Sequence, residues 1–363
     1  MSEDLRIADL DRKAASSRIA ARWAERTHAQ REGREGAPSL MPGEHFAQGS
    51  RFGSARIATT SDGVGTKVEL AERTGRHDTL GFDLVAMVSD DLAAAGAVAA
   101  NLTNVLDVDR IDVPTVDALM RGLHDAAIEA DMAVVGGEIA ELGPRVGGWG
   151  AGMHFNWCAT AIGYFPEGLP PLTGAELRPG DAVIALRSRG FRSNGFSLLR
   201  SVLACAHGEA WHEARFGERT WGEIALSPSR IYAPLVASLR LAGTELHGIA
   251  HVTGGGIPHK LGRVLRASGL GATLDQLFEP QDFFLEAQRL GKISDLSAYR
   301  AWNMGQGMLL VGPESCVAPV LDEAQARGVE ARRAGTIREE PGIFIDSRGV
   351  ERRHLDFAPE ARP

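Results

Sequence analysis

A two-domain protein mixing helices and strands, α+β or α/β, is what this 363-residue chain predicts, and three observations carry that expectation. After Thr60, short apolar runs alternate with amphipathic stretches. A segment rich in proline and glycine, Pro166-Glu167-Gly168-Leu169-Pro170-Pro171, breaks the alternation near mid-chain, and a second alternation opens at Asp181. In order, residues 55–60 read as a strand, 80–97 as a helix, 101–106 as a strand, 114–130 as a helix, and 132–135 and 155–165 as strands. In the second half, residues 181–186 form a strand and a helix follows Asn194. A charged, aromatic segment then runs from Trp211 to Trp221, and further helices lead to strands near residues 308–311 and 334–337. Ahead of both units, residues 9–32 interleave Arg12, Lys13, Arg18, Arg22, Arg26 and Arg31 with acidic side chains, as on a solvated helix. Residues 33–53, with Pro38, Pro42 and five glycines, read as a long connection. The expected division is 1–54, 55–168, 169–345 and a C-terminal tail, 346–363.

Composition narrows the function classes. Asp and Glu number 47 against 39 Lys and Arg, a formal charge of −8 that leaves no global footprint for nucleic acid. No apolar run reaches the length of a membrane-spanning helix, and the N-terminus begins acidic with no apolar stretch after it. Cys158, Cys205 and Cys316 are scattered without metal-ligand spacing, so a reducing, cytoplasmic setting and a small-molecule substrate are expected.

Chemistry concentrates in Ser61-Asp62-Gly63-Val64-Gly65-Thr66-Lys67, where the first strand breaks into a glycine-rich turn. Gly63 and Gly65 let backbone approach a phosphate, Thr66 and Lys67 supply a hydroxyl and a point charge, and Asp62 is a hard oxygen ligand suited to magnesium. On the following helix Leu80, Leu84, Val88, Leu92 and Ala95 make one buried stripe, with Asp83, Asp90 and Asp91 off it. Those aspartates either solvate a polar face or line a triphosphate. Asp83 and Asp90 are separated by roughly 10 Å, too far to share one ion directly. A second acidic cluster, Gly136-Gly137-Glu138 with Glu141, follows the apolar run at Val134-Val135. Two further turns, Ser193-Asn194-Gly195 and Thr253-Gly254-Gly255-Gly256, stand at helix entries where exposed amides attract anions. Asn303-Met304-Gly305-Gln306-Gly307-Met308 precedes an apolar strand.

In order and together, these segments resemble the phosphoribosylformylglycinamidine cyclo-ligase family, also called aminoimidazole ribonucleotide synthetase. Arg76-His77-Asp78-Thr79, Gly81 to Met87 and Ser227-Pro228-Ser229-Arg230-Ile231-Tyr232 add to the likeness, which runs from about Thr60 to Ile337. The resemblance implies an N-terminal mixed sheet that pairs into a dimeric barrel, a C-terminal α/β domain and ATP in the cleft between them. It implies an ATP-dependent ligase that phosphorylates an amide oxygen and closes an imidazole ring in purine biosynthesis, with ATP and Mg2+ as cofactors and a homodimer as the assembly. By the same resemblance Asp62, Asp91 and Glu138 hold the metal. Gly63, Gly65, Thr66, Lys67, Asp83, Asp90, Gly136 and Gly137 serve the nucleotide, and Ser193, Asn194, Gly195, Thr253, Gly254, Gly255, Gly256 and Asn303 serve the substrate.

The chain departs from the family pattern in three places. The glycine-rich N-terminal loop is reduced to Gly49-Ser50-Arg51-Phe52-Gly53, the residue after Gly136-Gly137-Glu138 is Ile139 where a threonine is usual, and Arg192 replaces a histidine before Ser193-Asn194-Gly195. Arginine stays charged and only donates, so acid-base chemistry at this position is lost; it binds an anionic group of the substrate or makes a structural salt bridge. Two other functions stay open beside the cyclo-ligase: a paralogous enzyme activating a different amide or carbonyl, and an ATP-binding protein without catalysis.

Overall fold

The computed structural model describes residues 37–39 and 48–358, so the helix expected over residues 9–32 lies outside the described residues. Within the stretch read as a connection, Ala37–Ser39 (β1) and Gln48–Phe52 (β2) are strands that extend a sheet from its edge. That sheet has six strands in the order β1-β2-β3-β6-β4-β5, with β3 at Ala55–Gly63, β4 at Val98–Val108, β5 at Ala133–Glu141 and β6 at Phe155–Tyr164. β4 and β5 run parallel; the other pairs are antiparallel. The helices are α1 (Val68–Thr74), α2 (Leu80–Ala94) and α3 (Val113–Glu129), and α3 is the crossover that parallel pairing requires. Asp112 caps α3 by accepting from the Thr115 amide at 3.1 Å, and Pro114 sits in its first turn, where no amide is needed.

Two boundaries differ from the sequence reading. β3 runs on through Asp62 and Gly63, so the turn begins at Val64. β5 runs on through Gly136 and Gly137 to Glu141, because its ladder with β4 continues past both glycines. A Cβ on Gly137 would lie 2.8 Å from the Asn104 amide, so the glycine there admits a neighbouring side chain.

The pleat sorts the sheet into two faces. Ala58 and Thr60 of β3, Trp157, Ala159 and Ala161 of β6, and Leu102, Asn104 and Leu106 of β4 face the helices and are buried. On the other face Val105, Ile162 and Tyr164 are 39%, 36% and 45% exposed. Helix α2 lies across the covered face, and Gly81 lets it approach α3 so closely that a Cβ there would stand 2.2 Å from the Gly122 carbonyl carbon. The expected stripe of Leu84, Val88 and Leu92 is fully buried, but so are Asp83 and Asp90. The polar side of this helix meets the second domain, not solvent.

The second domain is a seven-stranded sheet ordered β10-β12-β7-β13-β11-β14-β15, formed by β7 (Ala182–Arg187), β10 (Gly248–His251), β11 (Gly271–Leu274), β12 (Gln306–Gly312), β13 (Ala331–Arg338), β14 (Gly342–Asp346) and β15 (His354–Phe357). β8 (Arg215–Phe216) and β9 (Arg219–Thr220) form a separate short hairpin. β11 and β14 are parallel and the remaining pairs of the large sheet antiparallel. Helices α4 (Phe196–His207), α5 (Trp221–Ala225), α6 (Ala233–Leu241), α7 (Gly256–Arg266), α8 (Asp282–Gly291), α9 (Asp295–Ala301) and α10 (Val317–Ala326) complete it. Residues beyond 346, expected as a tail, therefore continue the sheet through β15. Their turn is held by buried Asp295, which accepts from Ser347 Oγ, from the Gln288 amide at 2.8 Å and from the Arg352 backbone N–H at 3.0 Å. Among the described residues no helix is long and apolar enough to cross a membrane.

Just before β10, His247 is 5% exposed, with Nδ1 2.7 Å from Asp181 at the start of the second domain and Nε2 2.9 Å from Glu245. Burial alone lowers its pKa, but the two carboxylates outweigh burial and raise it above the ordinary histidine value. A folded pKa above the unfolded one stabilises fully below about pH 6.5 and loses that contribution as pH rises through the folded pKa. The stability gap between the parent and His247→Gln should accordingly be widest near pH 6 and shrink towards pH 9. Urea midpoints measured across that range check it, and a gap independent of pH overturns it.

Candidate active site

The site forms where the end of β3, the second half of α2 and the loop after β10 meet. Asp62, on the covered face of β3, accepts from the Gly63 amide at 2.7 Å. Burial pushes its carboxyl up, and the neighbouring Asp91 charge pushes the same way against Gly63, His251 and Lys260. Asp62 and Asp91 thus stand together, in the company of His251 and Lys260, two residues not assigned from the sequence. His251 Nδ1 lies 2.7 Å from Asp91 Oδ1.

The remaining acidic residues of α2 are committed elsewhere. Lys67, fully buried, lies 2.7 and 2.8 Å from the two Asp83 oxygens and donates to the Ser227 carbonyl at 2.8 Å. Ser229 Oγ donates to Asp83 as well, at 2.5 Å. Asp90 accepts from the Tyr232 and Ala233 amides at 2.7 and 2.9 Å, capping α6 from another domain, and pairs with Arg192 at 2.8 Å. The expectation that Lys67, Asp83 and Asp90 face a nucleotide is corrected: they are internal ion pairs fastening α2 to the second domain.

Glu138 parts from the proposed metal trio. Its row across the sheet is Gly63, Cys158, Val105 and Glu138, whereas the Asp62 row is Ala159, Asn104 and Gly137. Adjacent rows point to opposite faces, so Glu138 is on the exposed face, three strands and about 14 Å along the sheet from β3. It cannot share an ion with Asp62 inside this chain. Gly136 and Gly137 likewise lie within a strand and form no phosphate turn.

Gly65 and Thr66 are exposed in the turn after β3. Thr66 lines an open cleft of about 510 Å3, together with Glu69, Glu72, Gly148 and Trp149. Glu72 is tied to that wall, accepting from the Trp149 amide at 2.7 Å, and burial pushes its carboxyl up.

The two anion-attracting turns come together. Helices α4 and α7 start after Gly195 and Gly255, both left-handed at φ 76° and 86°, and no side chain caps either start, although the Gly256 amide donates to the Thr253 carbonyl at 2.9 Å. Asn194 Oδ1 is 3.4 Å from where a Cβ of Gly254 would stand, which makes Ser193-Asn194-Gly195 and Thr253 to Gly256 adjoining walls. Ser193 Oγ is buried with no hydrogen-bond partner. Asn303 belongs elsewhere: its amide donates to the Gly190 carbonyl at 2.8 Å and accepts from the Gly305 amide at 2.8 Å, bracing the loop that carries these residues. The expectation that Asn303 binds substrate is corrected to that bracing role. Arg192 is 2% exposed and makes the internal salt bridge with Asp90, so of its two expected roles the structural one is realised.

Comparison with known proteins agrees with this architecture. Residues 50–155 match the N-terminal domain of AIR synthase related proteins, and residues 178–347 match their C-terminal domain. The chain is 34% identical over 328 residues to the phosphoribosylformylglycinamidine cyclo-ligase of Thermococcus kodakarensis, covering 90% of this chain and 92% of that protein. It is 32% identical over 344 residues to the Pyrococcus furiosus cyclo-ligase, covering 94% and 97%. Among solved structures, HypE in a HypE–HypF complex superposes with a TM-score of 0.61 at 16% identity over 86% of this chain and 93% of that one. Thiamine-monophosphate kinase from Stenotrophomonas maltophilia superposes at 0.60 and 20% over 92% and 96%, and at such identities both show the fold alone. With both domain models matched in order and close relatives covering nearly its whole length, the chain belongs to the AIR synthase related family.

Proposed function

We propose that this protein is an ATP-dependent cyclo-ligase that converts formylglycinamidine ribonucleotide to aminoimidazole ribonucleotide, the activity named for its relatives. In this reaction the formyl-amide oxygen takes the γ-phosphoryl group and ADP leaves. The amidine nitrogen then attacks the activated carbon, and the ring closes with loss of phosphate and a proton. The observation that carries the reading is the grouping of Asp62 with Asp91 and of Asp91 with His251, which stands two residues before the Thr253 turn at the start of α7. The cleft at Thr66 is of a size that holds a nucleotide, and fold relatives have been solved with AMPPCP and with ATP.

Two mutually repelling carboxylates fit magnesium, which takes one or two protein carboxylates and completes its shell with phosphate and water. Bound there by Asp62 and Asp91, magnesium would neutralise charge on the transferred phosphoryl group. Ser193, Asn194 and the amides entering α4 and α7 would hold the substrate phosphate. Purified protein with Mg2+, ATP and formylglycinamidine ribonucleotide should form aminoimidazole ribonucleotide, ADP and phosphate. ADP release that depends on a different amide, with none from this substrate, favours a paralogue; the buried Arg192 where the family has histidine is the observation behind that second reading.

The exposed sheet face is apolar at Val105, Ile162 and Tyr164, and the edge strand β5 separately leaves Val134, Val135 and Ile139 at 43%, 58% and 41% exposure, Val134 and Ile139 in the rows of the covered face. A second copy covering this face and edge gives a cytoplasmic homodimer. Light scattering at micromolar protein should report twice the chain mass, and Ile162→Asp should halve it. A monomeric parent overturns the dimer.

A further inference from the structure

Arg192 has φ 62°, the left-handed region that strains a residue bearing a side chain, and this backbone sends its guanidinium inward beneath the Ser193 turn. One nitrogen, Nη2, carries both polar contacts: it lies 2.8 Å from Asp90 Oδ2 and 2.8 Å from His251 Nε2. Around it, Asp90 is held by the α6 amides, and the Tyr232 ring lies 5.1 Å below the guanidinium, so the group is located from three sides.

A guanidinium only donates, and it keeps its protons at any ordinary pH. His251 Nε2 must then be the acceptor, which leaves the ring's single proton on Nδ1, the atom 2.7 Å from Asp91 Oδ1. Asp91 Oδ1 is thereby taken, and Oδ2 is the oxygen left to face a cation beside Asp62. A histidine in place of Arg192 can accept as readily as donate and imposes no such choice on its neighbour.

We propose that Arg192 fixes His251 as the neutral Nδ1–H tautomer, and that His251 in turn orients Asp91 for the metal-nucleotide complex. Both are positioning residues, and neither touches the reacting atoms. The second step rests on the assignment of Asp91 to that complex; the first does not.

Nitrogen-15 spectra of histidine-labelled, metal-free protein at a single pH distinguish the two tautomers directly. The parent should show the Nδ1–H form at His251, and Arg192→Met should lose it. Mn2+·ADP binding gives the second readout. His251→Ala should weaken it about tenfold to a hundredfold, the usual cost of removing an outer-shell partner of a metal ligand. His251→Asn, whose amide nitrogen falls near the place of Nδ1, should restore binding to within about threefold of the parent. Both His251 variants keep the Asp90–Arg192 pair, so they stay informative if Arg192→Met folds poorly. An Nε2–H or doubly protonated His251 in the parent overturns the first step, and equal losses in His251→Asn and His251→Ala overturn the second. Unchanged Mn2+·ADP binding in Asp91→Asn overturns the metal assignment and the second step with it, leaving the tautomer result to decide the first.

Discussion

Asp91→Asn is expected to slow Mg2+·ATP turnover about a hundredfold or more while leaving the fold in place, and Asp62→Asn should do the same. Each change keeps the shape of the side chain and removes one full negative charge from a pair made of buried Asp91 and partly buried Asp62. A loss of about 3 kcal/mol in transition-state stabilisation corresponds to about a hundredfold in rate. Relief of the repulsion between Asp62 and Asp91 should even favour folding slightly, because burial and mutual charge already disfavour ionisation of Asp62. Steady-state kinetics over a Mg2+ titration, beside thermal melts, separates the two effects. Near-normal turnover in both variants would remove the metal site from this position. Glu138→Gln, on the opposite sheet face, should barely move the Mg2+ titration.

Lys67→Met should destabilise the protein by about 3–5 kcal/mol, the usual cost of stranding one partner of a buried ion pair. Lys67 and Asp83 are both 0% exposed, and burial already lowers the Lys67 pKa against the pull of Asp83. The double variant Lys67→Met/Asp83→Leu removes both charges and should recover most of the loss, since desolvation of the pair disappears with its attraction. Urea denaturation of the parent and the two variants checks this. A Lys67→Met protein of parental stability with no ATP turnover would return Lys67 to the phosphate-binding role that its place in the sequence suggests.

Much of the architecture is legible in the order of residues because it follows from local periodicity. The helix at α3, read from Pro114 on, starts at Val113, the run from Phe155 to Tyr164 is a strand with one buried face, and the break at Pro166 to Pro171 falls between the two sheets. Asp62 and the turns at Ser193 and Thr253 stand out in the sequence by their small and polar residue types at a strand end and at helix starts. His251 carried one signal, its position two residues before the Thr253 turn, yet a lone histidine at a strand end reads equally well as a core residue.

Side-chain partners were beyond the reach of the chain's order, for a physical reason. Whether a carboxylate is solvated, paired or free for a cation depends on what a segment about a hundred residues away places beside it. Asp83, Asp90 and Asp91 share one helix and one residue type, and only tertiary contacts tell them apart: buried Lys67 of the same domain and Ser229 of the second claim the first, Arg192 and the start of α6 the second, and His251 the third. Glu138 shows the same limit across a sheet. Its sequence neighbourhood mimics that of Asp62, but strand register sets which face a side chain occupies, and one residue of register carries it to the other side. Periodicity along the chain thus determines helices, strands and the types of chemistry present, whereas the pairing of charges across domains and the facing of each strand arise only once long-range contacts close.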